Sequence, residues 1–333
     1  MSILVTGSAG HLGEALMREL RQSGAHPVGL DIKASPYTTM IGSIIDPAIT
    51  TKAMQGIKCV YHTATLHKPH MVTHSAGDFI NTNILGTLNL LEAATKANVD
   101  AFVFTSTTSV FGDALRPPPG EPAAWINESV QPAVKNIYGA TKLAAEDLCR
   151  LAHHNQGLNC IVLRTSRFFP EDDDDKEKQK RYSADNLKAN EFLYRRVDLE
   201  DAVSAHFLAA QYAPNLGHEL FVISATTPFD KTHLCALGKD APPVVTALYP
   251  DLADIYASRN LHLLPVLDRV YSNHRARELL NWQPQWDFAK ALDCLSRGEP
   301  VASQLAQNIG VKGYHSSIFT DGPYPVETSA DNR

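Results

Sequence analysis

The sequence predicts an α/β fold in which a doubly wound parallel sheet carries a smaller C-terminal lobe. The apolar run 3–6 is followed by a loop at 7–13 that contains three glycines (the glycine loop) and by apolar residues at helical spacing over 14–20, which predicts a strand, a loop and a helix. Further short apolar runs alternate with segments of helical periodicity, as expected for parallel strands joined by crossover helices. The length of 333 residues is enough for one large α/β domain with an added lobe.

The expected elements follow one another along the chain. After the first helix, strands are expected at 26–31, 40–45, 58–64, 100–106 and 219–223, and helices at 46–55, 79–97, 136–154 and 202–212. Residues 1–165 are assigned to the sheet domain, to which residues 199–225 return. Residues 166–198 and 226–298 are expected to form the smaller lobe, and residues 299–333 a C-terminal tail.

Composition argues against several classes of protein. Hydrophobic residues make up 44% of the chain and charged residues 20%, as in ordinary globular proteins. The formal net charge of −6 disfavours a nucleic-acid-binding surface, and no apolar stretch approaches the length of roughly 18 residues that suggests a membrane span. The first residues run directly into a strand rather than a signal peptide, and the five cysteines are scattered. We therefore expect a cytoplasmic protein with free thiols, and neither nucleic acid nor membrane as a partner.

The glycine loop has glycine at every third position. Gly7, Gly10 and Gly13 allow the backbone to turn tightly and to approach a pyrophosphate, while the following helix offers unpaired N–H groups and a partial positive charge. The pattern predicts a dinucleotide site. Asp31 ends the second strand, where a carboxylate accepts hydrogen bonds from the adenosine ribose and repels a 2′-phosphate. This favours NAD over NADP, and Lys33 keeps NADP as the less favoured alternative.

A loop that contains several histidines follows the fourth strand. His67, His70 and His74 have spacings that could suit a metal, but no carboxylate or thiol joins them locally and Pro69 interrupts any helix. We therefore expect no metal site, and histidines that contact ligand or solvent at the mouth of the cofactor site.

The helix expected at 136–154 carries Tyr138 and Lys142, which project from one helical face because they are four residues apart. A phenol is a poor base at neutral pH, and a neighbouring ammonium lowers the pKa of a phenol by stabilising the phenolate. The hydroxyl-rich segment 105–109 precedes this helix, at the strand edge where ligands collect in open α/β sheets. Together these features predict an acid–base site.

The ordered motifs resemble those of the extended short-chain dehydrogenase/reductase family, whose members are commonly described as NAD-dependent epimerases and dehydratases. The matching segments span roughly residues 2–295 and are 6–13, 31, 62–64, 83–87, 105–112, 138–142, 163–164, 196–203 and 276–284. In the last of them Asn281 replaces the glycine of the family's signature. The resemblance implies a Rossmann-type NAD-binding domain, a substrate-binding C-terminal lobe and reversible hydride transfer.

The resemblance also implies residue roles. Tyr138 is expected to be the general acid or base, and Lys142 to lower the pKa of Tyr138 and to hold the nicotinamide ribose. Thr107 is expected to polarise the substrate oxygen, and Asn83 to lie near the cofactor and the Tyr–Lys pair. Cofactor contacts are expected from Gly7, Ala9, Gly10, His11, Leu12, Gly13, Asp31, Ile32, Ser43, Ile44, Thr63, Ala64, Thr65, Asn83, Thr105, Ser106, Tyr138 and Lys142. Substrate contacts are expected from His67, Thr107, Thr108, Arg167 and Phe168.

Departures from the family pattern narrow the expected reaction. Sugar-nucleotide 4,6-dehydratases carry Asp-Glu directly after the catalytic threonine, whereas this sequence has Thr108 and Ser109, which disfavours dehydration. The usual contacts to a nucleoside diphosphate are also absent from 165–170 and from 264–269. We therefore expect an NAD-dependent epimerase or dehydrogenase that acts on a hydroxyl or carbonyl of a sugar or nucleotide sugar. The alternatives are an NAD(P)-dependent carbonyl reductase of a non-sugar small molecule and a non-catalytic dinucleotide-binding sensor.

The sequence also gives expectations for the oligomeric state and for the segments 171–181 and 310–325. By resemblance, a homodimer is expected through the helices at 79–97 and 136–154. The charged segment 171–181 is expected to be a solvated loop between the lobes, with a lid over the substrate cleft as the alternative. For the segment 310–325, packing on the body of the protein and contact with a partner both stay open.

Overall fold

A parallel sheet of seven strands lies at the centre of the computed structural model, which describes residues 2–171 and 175–312. The strands are β1 (Ile3–Thr6), β2 (Val28–Asp31), β3 (Met40–Ile41), β4 (Cys59–His62), β5 (Ala101–Thr107), β6 (Ala124–Ile126), β7 (Cys160–Thr165), β8 (His218–Ile223) and β9 (Arg269–Tyr271). The main sheet has the order β3-β2-β1-β4-β5-β7-β8, and β6 pairs separately with β9. The order therefore reverses between β1 and β4, where open α/β sheets bind ligands.

Helices connect the strands and build the smaller lobe. They are α1 (His11–Gln22), α2 (Pro47–Ala53), α3 (Ala76–Phe79), α4 (Gly86–Lys96), α5 (Ile137–Gln156), α6 (Lys176–Arg181), α7 (Ala184–Glu191), α8 (Leu199–Leu216), α9 (Leu234–Leu237), α10 (Ala241–Leu248), α11 (Leu252–Ser258), α12 (His274–Leu279), α13 (Phe288–Arg297) and α14 (Gln304–Ile309). A π-helical turn, Ile80–Leu85, joins α3 to α4. Short 3-10 turns lie at Lys68–Val72, Thr108–Phe111, Asp113–Leu115 and Lys231–His233.

Helices cover both faces of the main sheet. On one face α1, α8 and α14 share a hydrophobic cluster with β1, and on the other face α2, α4 and α5 share a cluster with β4 and β5. Strands β4 and β7 are buried along their whole lengths, which is typical of central parallel strands covered on both faces. This arrangement confirms the predicted doubly wound α/β fold.

Some predicted boundaries move because side chains cap or interrupt the elements. The helix expected at 202–212 begins earlier, at Leu199, because the Asp198 carboxylate accepts a hydrogen bond from Glu200 N at 2.8 Å. The strand expected at 40–45 ends at Ile41, and the chain turns where Asp46 N donates to Ser43 O at 3.2 Å. The single helix expected at 79–97 is instead α3, the π-helical turn and α4.

A second hydrophobic cluster lies outside the main sheet and builds the smaller lobe. It joins side chains of α7, α10, α11 and α13, among them Leu187, Val245, Tyr256 and Phe288. The domain boundaries given above stay predictions. The part of the tail that the structure describes packs on the sheet side, because Ala306 and Ile309 of α14 share a cluster with α1 and α8.

The charged segment expected to be a solvated loop begins with a buried residue. Glu171 is 3% exposed, since its carboxylate lies 2.7 Å from His11 Nε2 and accepts a hydrogen bond from Lys312 N. The expectation is therefore wrong for Glu171, and the segment from Lys176 forms α6. The acids at 172–174 and the tail from 313 onward, including most of 310–325, lie outside the described residues.

The described residues also bear on the expectations for membrane spans and cysteines. No helix in the ranges 2–171 and 175–312 is long and apolar enough to cross a membrane. All five cysteines are free.

Candidate active site

A cavity of about 520 Å³ opens at the carboxyl edge of the sheet, beside the β1–β4 reversal. The predicted cofactor-binding residues that line it are Gly7, Ala9, Gly10, His11, Leu12, Gly13, Asp31, Ile32, Ser43, Ile44, Thr63, Ala64, Thr65, Thr105, Ser106 and Tyr138. The predicted substrate-binding residues that line it are His67, Thr107, Thr108, Arg167 and Phe168. The structure thus brings together residues that lie at or after the ends of β1, β2, β3, β4, β5 and β7, whereas Asn83 and Lys142 do not line the cavity.

The glycine loop has the shape that a dinucleotide diphosphate requires. Gly7 has φ +72°, and a Cβ on it would lie 2.7 Å from Ala64 N. A Cβ on Gly13 would lie 1.9 Å from Gly7 O, so α1 packs against the loop only because residue 13 has no side chain. The loop backbone and the N-terminus of α1 therefore form a cradle for an anion, which fits the predicted cofactor.

Asp31 lies at the end of β2, beside the glycine loop. Its Oδ2 accepts a hydrogen bond from Ala9 N at 3.0 Å, and its Oδ1 accepts one from Lys33 N at 2.9 Å. The carboxylate is thereby held between the glycine loop and the end of β2. Asp31 and Lys33 both line the cavity, and a carboxylate in this place suits the predicted contact with ribose hydroxyls.

Thr107 and Tyr138 meet at the end of β5. Thr107 is the last residue of the strand, and its Oγ1 accepts a hydrogen bond from Ser109 N at 3.1 Å. The Asn136 side chain caps α5 by accepting from Gly139 N at 2.9 Å, and a Cβ on Gly139 would lie 2.9 Å from Ser109 O. Helix α5 thus closely approaches the 3-10 turn that follows β5, and Tyr138 lies within hydrogen-bonding reach of Thr107. Burial raises the pKa of Tyr138 to about 12, while the hydrogen bond with Thr107 opposes that rise.

Lys142 is buried and does not line the cavity in this structure. Its Nζ donates to Thr105 O at 2.7 Å and lies 3.9 Å from the centroid of the Phe104 ring. Burial lowers the pKa of Lys142 from 10.5 to about 7, and the neighbouring Glu146 carboxylate opposes that change. The expectation that Lys142 lowers the pKa of Tyr138 stays a prediction, since burial and the hydrogen bond with Thr107 are what shift this pKa in the present structure.

Asn83 links the loop after β4 to α5. Its Oδ1 accepts from Leu66 N at 2.9 Å and from Thr65 Oγ1 at 3.0 Å, and its Nδ2 donates to Leu66 O and to Thr141 Oγ1. All four hydrogen-bonding positions of the amide are satisfied, and Asn83 is buried. The geometry makes it a residue that positions the loop and the Tyr–Lys helix.

An aromatic wall forms one side of the cavity. The rings of His67 and Phe169 are stacked with centroids 5.3 Å apart, and Phe169 also packs on Phe168 at 4.4 Å. His70 Nδ1 accepts a hydrogen bond from His67 N at 3.0 Å. Within 2–171 and 175–312 no group of three His, Cys, Asp or Glu side chains is arranged to hold a metal ion.

Arginines at the start of the smaller lobe surround a buried glutamate. Burial by itself would raise the pKa of Glu191, but Arg195, Arg167 and Arg196 lower it to about 2. Arg196 Nη1 and Arg195 Nη2 lie 2.7 Å and 2.6 Å from this carboxylate, and Arg167 Nε lies 3.6 Å from it. Arg167, predicted to bind substrate, lines the cavity while it holds Glu191.

Arg269 adds a further cation to the cavity. The guanidinium carbons of Arg195 and Arg269 lie 5.5 Å and 5.7 Å from the centroid of the Tyr194 ring. Arg269 is 8% exposed, and its Nε has no hydrogen-bond partner among the described residues. Its Nη1 donates to Leu115 O at 3.4 Å and lies 3.3 Å from Asp268 Oδ2, so the guanidinium is held at the cavity wall.

Sequence reasoning missed Arg269, Glu171, Glu14 and Lys312 as residues of this region. Glu14 and Lys312 form an ion pair although 298 residues separate them. Arg269 belongs to the short strand β9, which gives little periodic signal. The buried acids had no visible signal either, because Glu14 fits the polar side of a helix pattern and Glu171 begins an acidic run.

Comparison with known proteins identifies the chain's relatives. The model of the NAD dependent epimerase/dehydratase family matches residues 3–223. A dTDP-glucose 4,6-dehydratase from Streptomyces antibioticus is 28% identical over 327 residues, which are 88% of this chain and 90% of that protein. An uncharacterized UDP-glucose epimerase from Bacillus subtilis is 29% identical over 186 residues, covering 49% of this chain and 55% of that protein. The chain spans 39% to 55% of the length of the first three curated relatives that it matches.

A solved structure shares the fold. A short-chain dehydrogenase/reductase superfamily protein from Agrobacterium tumefaciens, determined with bound NAD, superposes with a TM-score of 0.64 at 23% sequence identity, over 90% of this chain and 98% of the other. The family match and this fold confirm the resemblance drawn from the ordered motifs. The family description also names NAD, in agreement with the cofactor predicted from the glycine loop and Asp31.

Proposed function

The chain belongs to the NAD dependent epimerase/dehydratase family, and on that premise we propose that it is an NAD-dependent enzyme that epimerises or oxidises a hydroxyl group of a sugar or nucleotide sugar. The observation that carries the proposal is the contact between Tyr138 and Thr107 in the wall of a cavity that begins at the glycine loop. The Tyr138 phenol can act as an acid or base, the Thr107 hydroxyl can hydrogen-bond the substrate, and both lie in the same cavity as the glycine loop expected to bind the dinucleotide.

The residues that would hold the cofactor lie around one cavity. The backbone of the glycine loop and the N-terminus of α1 would hold the diphosphate, and Asp31 would accept hydrogen bonds from the adenosine ribose. When bound, NAD supplies a carbon centre that accepts a hydride and returns it. Lys142 would hold the nicotinamide ribose after turning from Thr105 O.

The chain's own residues handle the proton and the substrate oxygen. Thr107 donates a hydrogen bond to the reacting oxygen and keeps it beside the Tyr138 hydroxyl. Tyr138 removes or returns the hydroxyl proton, and an ammonium nearby is needed because burial alone raises the pKa of this phenol. The approach of Lys142 on cofactor binding would provide that charge.

Two groups of residues bear on the choice of substrate. Thr108 and Ser109, which line the cavity directly after Thr107, offer hydroxyls rather than a carboxylate, and this favours epimerisation or oxidation over elimination of water. Arg195 and Arg269 favour an anionic substrate, because both guanidinium groups belong to residues that line the cavity. A sugar that carries a diphosphate or a carboxylate satisfies both conditions.

The proposal is tested by turnover with a panel of substrates. Purified protein is incubated with NAD and either nucleotide sugars or free sugar acids, while the absorbance of NADH and the appearance of an epimer are followed. An epimer with no net NADH supports an epimerase, and stoichiometric NADH supports a dehydrogenase. A parallel panel contains non-sugar carbonyl compounds with NADH or NADPH, and turnover in that panel alone would overturn the sugar assignment in favour of a reductase.

Replacement of the phenol tests the catalytic assignment. Tyr138→Phe is expected to lower kcat by about 100- to 10,000-fold while the affinity for NAD changes little, because the ring remains and only the proton-transferring hydroxyl is lost. Tyr212→Phe, on α8 and away from the cavity lining, is the matched control and keeps wild-type turnover. Equal turnover of Tyr138→Phe and wild type would show that another group moves the proton.

A further inference from the structure

The described end of the chain reaches the glycine loop. Ala306 and Ile309 hold α14 in the core beside α1, and Gly310 then turns the chain with φ +62°. Lys312 follows, and its Nζ donates to Ala9 O at 3.0 Å and pairs with the Glu14 carboxylate. Lys312 also lines the cavity. A residue near the C-terminus thus contributes a cation to the region predicted to hold the cofactor diphosphate.

Two buried carboxylates make a cation necessary at this place. Glu14 is 7% exposed and follows the glycine loop in α1, and Glu171 is 3% exposed and contacts His11 of the loop. A diphosphate at the N-terminus of α1 would be repelled by them, and partial removal from water strengthens that repulsion. Arg18 offsets part of the charge, with Nη2 lying 2.6 Å from Glu14 Oε1. Lys312 is placed to offset the rest, since it contacts this carboxylate and the loop carbonyl together.

A chain of polar contacts joins the C-terminal segment to the glycine loop on a second side. Lys312 N donates to Glu171 Oε1 at 3.1 Å, and the same oxygen lies 2.7 Å from His11 Nε2. The His11 ring packs edge-on against Phe169, with centroids 5.2 Å apart. Lys312 therefore bridges α1 through Glu14 and the loop after β7 through Glu171, so that the segment at 310–312 closes across the glycine loop.

We propose that Lys312 is a cofactor-positioning residue, whose ammonium neutralises the Glu14 side of the glycine loop and retains the dinucleotide diphosphate. The proposal rests on the proposed NAD binding. Without the ammonium, the negative charges of Glu14 and Glu171 are less neutralised and repel the diphosphate more strongly. The cofactor then binds less tightly and dissociates faster. The hydrogen bond from Lys312 N to Glu171 does not depend on the Lys312 side chain, so it holds residues 310–312 in place when that side chain is replaced. A change in NAD affinity on replacement therefore reports the loss of the ammonium.

Direct binding measurements test the role of the ammonium. The dissociation constant and the dissociation rate of NAD are measured by calorimetry and stopped-flow fluorescence for wild type, Lys312→Met and Lys312→Arg, with Lys96→Met as the exposed control. Lys312→Met, which keeps the aliphatic stem, is expected to weaken binding about 10- to 100-fold. Lys312→Arg keeps the charge and most of the affinity, and Lys96→Met binds as wild type does.

Charge rescue separates this role from a merely structural one. Glu14→Gln in the Lys312→Met background is expected to recover part of the lost affinity, because it removes the carboxylate that Lys312 neutralises. Higher salt is expected to shrink the difference between wild type and Lys312→Met. Circular dichroism and thermal unfolding check that each variant is folded.

The outcomes distinguish this inference from the proposed function. Wild-type protein that binds no NAD would overturn the proposed function and this inference together. Wild-type protein that binds NAD, with Lys312→Met binding and releasing it equally well, would overturn only the role of Lys312. A Lys312→Met defect that Glu14→Gln does not relieve would also overturn the electrostatic retention proposed here.

Discussion

Lys142 shows how burial sets the charge of a single side chain. Its ammonium lies under the Phe104 ring and against Thr105 O, in surroundings that disfavour the charged form. Burial lowers the pKa of Lys142 from 10.5 to about 7, even though Glu146 favours the charged form. The charge of Lys142 is therefore expected to change near neutral pH.

This pKa shift predicts a pH dependence of stability. Between pH 7 and 10.5 the unfolded chain keeps the Lys142 proton more firmly than the folded protein does, so the free energy of unfolding should rise with pH across this range. Lys142→Met removes this contribution and should give a flatter profile. Urea unfolding of both proteins at several pH values measures the effect, and parallel profiles would contradict it.

Helix α1 packs closely against the glycine loop at Gly13. Gly13 allows α1 to approach the end of β1, because a Cβ there would lie 1.9 Å from Gly7 O. Gly13→Ala is therefore expected to lower the free energy of unfolding by about 1–3 kcal/mol and to weaken NAD binding. Urea unfolding and NAD calorimetry measure the two effects.

Gly77 provides the matched control for Gly13. It lies in α3, and the nearest atom to an added Cβ is 3.6 Å away, so Gly77→Ala should be neutral or slightly stabilising. Equal unfolding energies and NAD affinities for the two variants would show that α1 can shift without cost. The comparison isolates the contact between loop and helix from the general effect of an added methyl group.

At the scale of the whole molecule, exposed apolar side chains lie on the helices expected to form a dimer. Ile80 and Leu85 of the π-helical turn are 46% and 40% exposed, and Leu151 of α5 is 41% exposed. Helices α4 and α5 pack against each other through a shared buried cluster, so these side chains belong to one helical layer. Association with a second copy would cover such a face.

The homodimer stays a prediction, and light scattering tests it. Wild-type protein is expected to have twice the 36.5 kDa mass of one chain, and the double variant Leu85→Glu, Leu151→Glu a mass nearer to one chain, because buried carboxylates oppose association. Leu248→Glu, at a 39% exposed position on α10, is the control and keeps the wild-type mass. A single-chain mass for wild type at micromolar concentration would rule out the expected dimer.

The sequence by itself determined the fold class, the family and many of the residues that line the cavity. Gly7, Gly13, Asp31 and Thr107 were predictable because strand ends, glycine spacing and helix starts are local patterns, and parallel strands bring their carboxyl ends to one edge. The π-helical turn around Asn83 could not be predicted in the same way, since it depends on hydrogen bonds that the amide makes to Leu66 and Thr141 across the fold.

Only the tertiary structure decided which charged side chains contact one another and which of them line the cavity. Lys312 reaches Glu14 because α14 packs on α1, and Arg269 reaches the cavity because β9 pairs with β6. The direction of Lys142 and the buried state of Glu171 likewise follow from packing between distant segments. Local sequence patterns specify elements and their ends, whereas contacts between side chains far apart in the chain are fixed by how the elements pack.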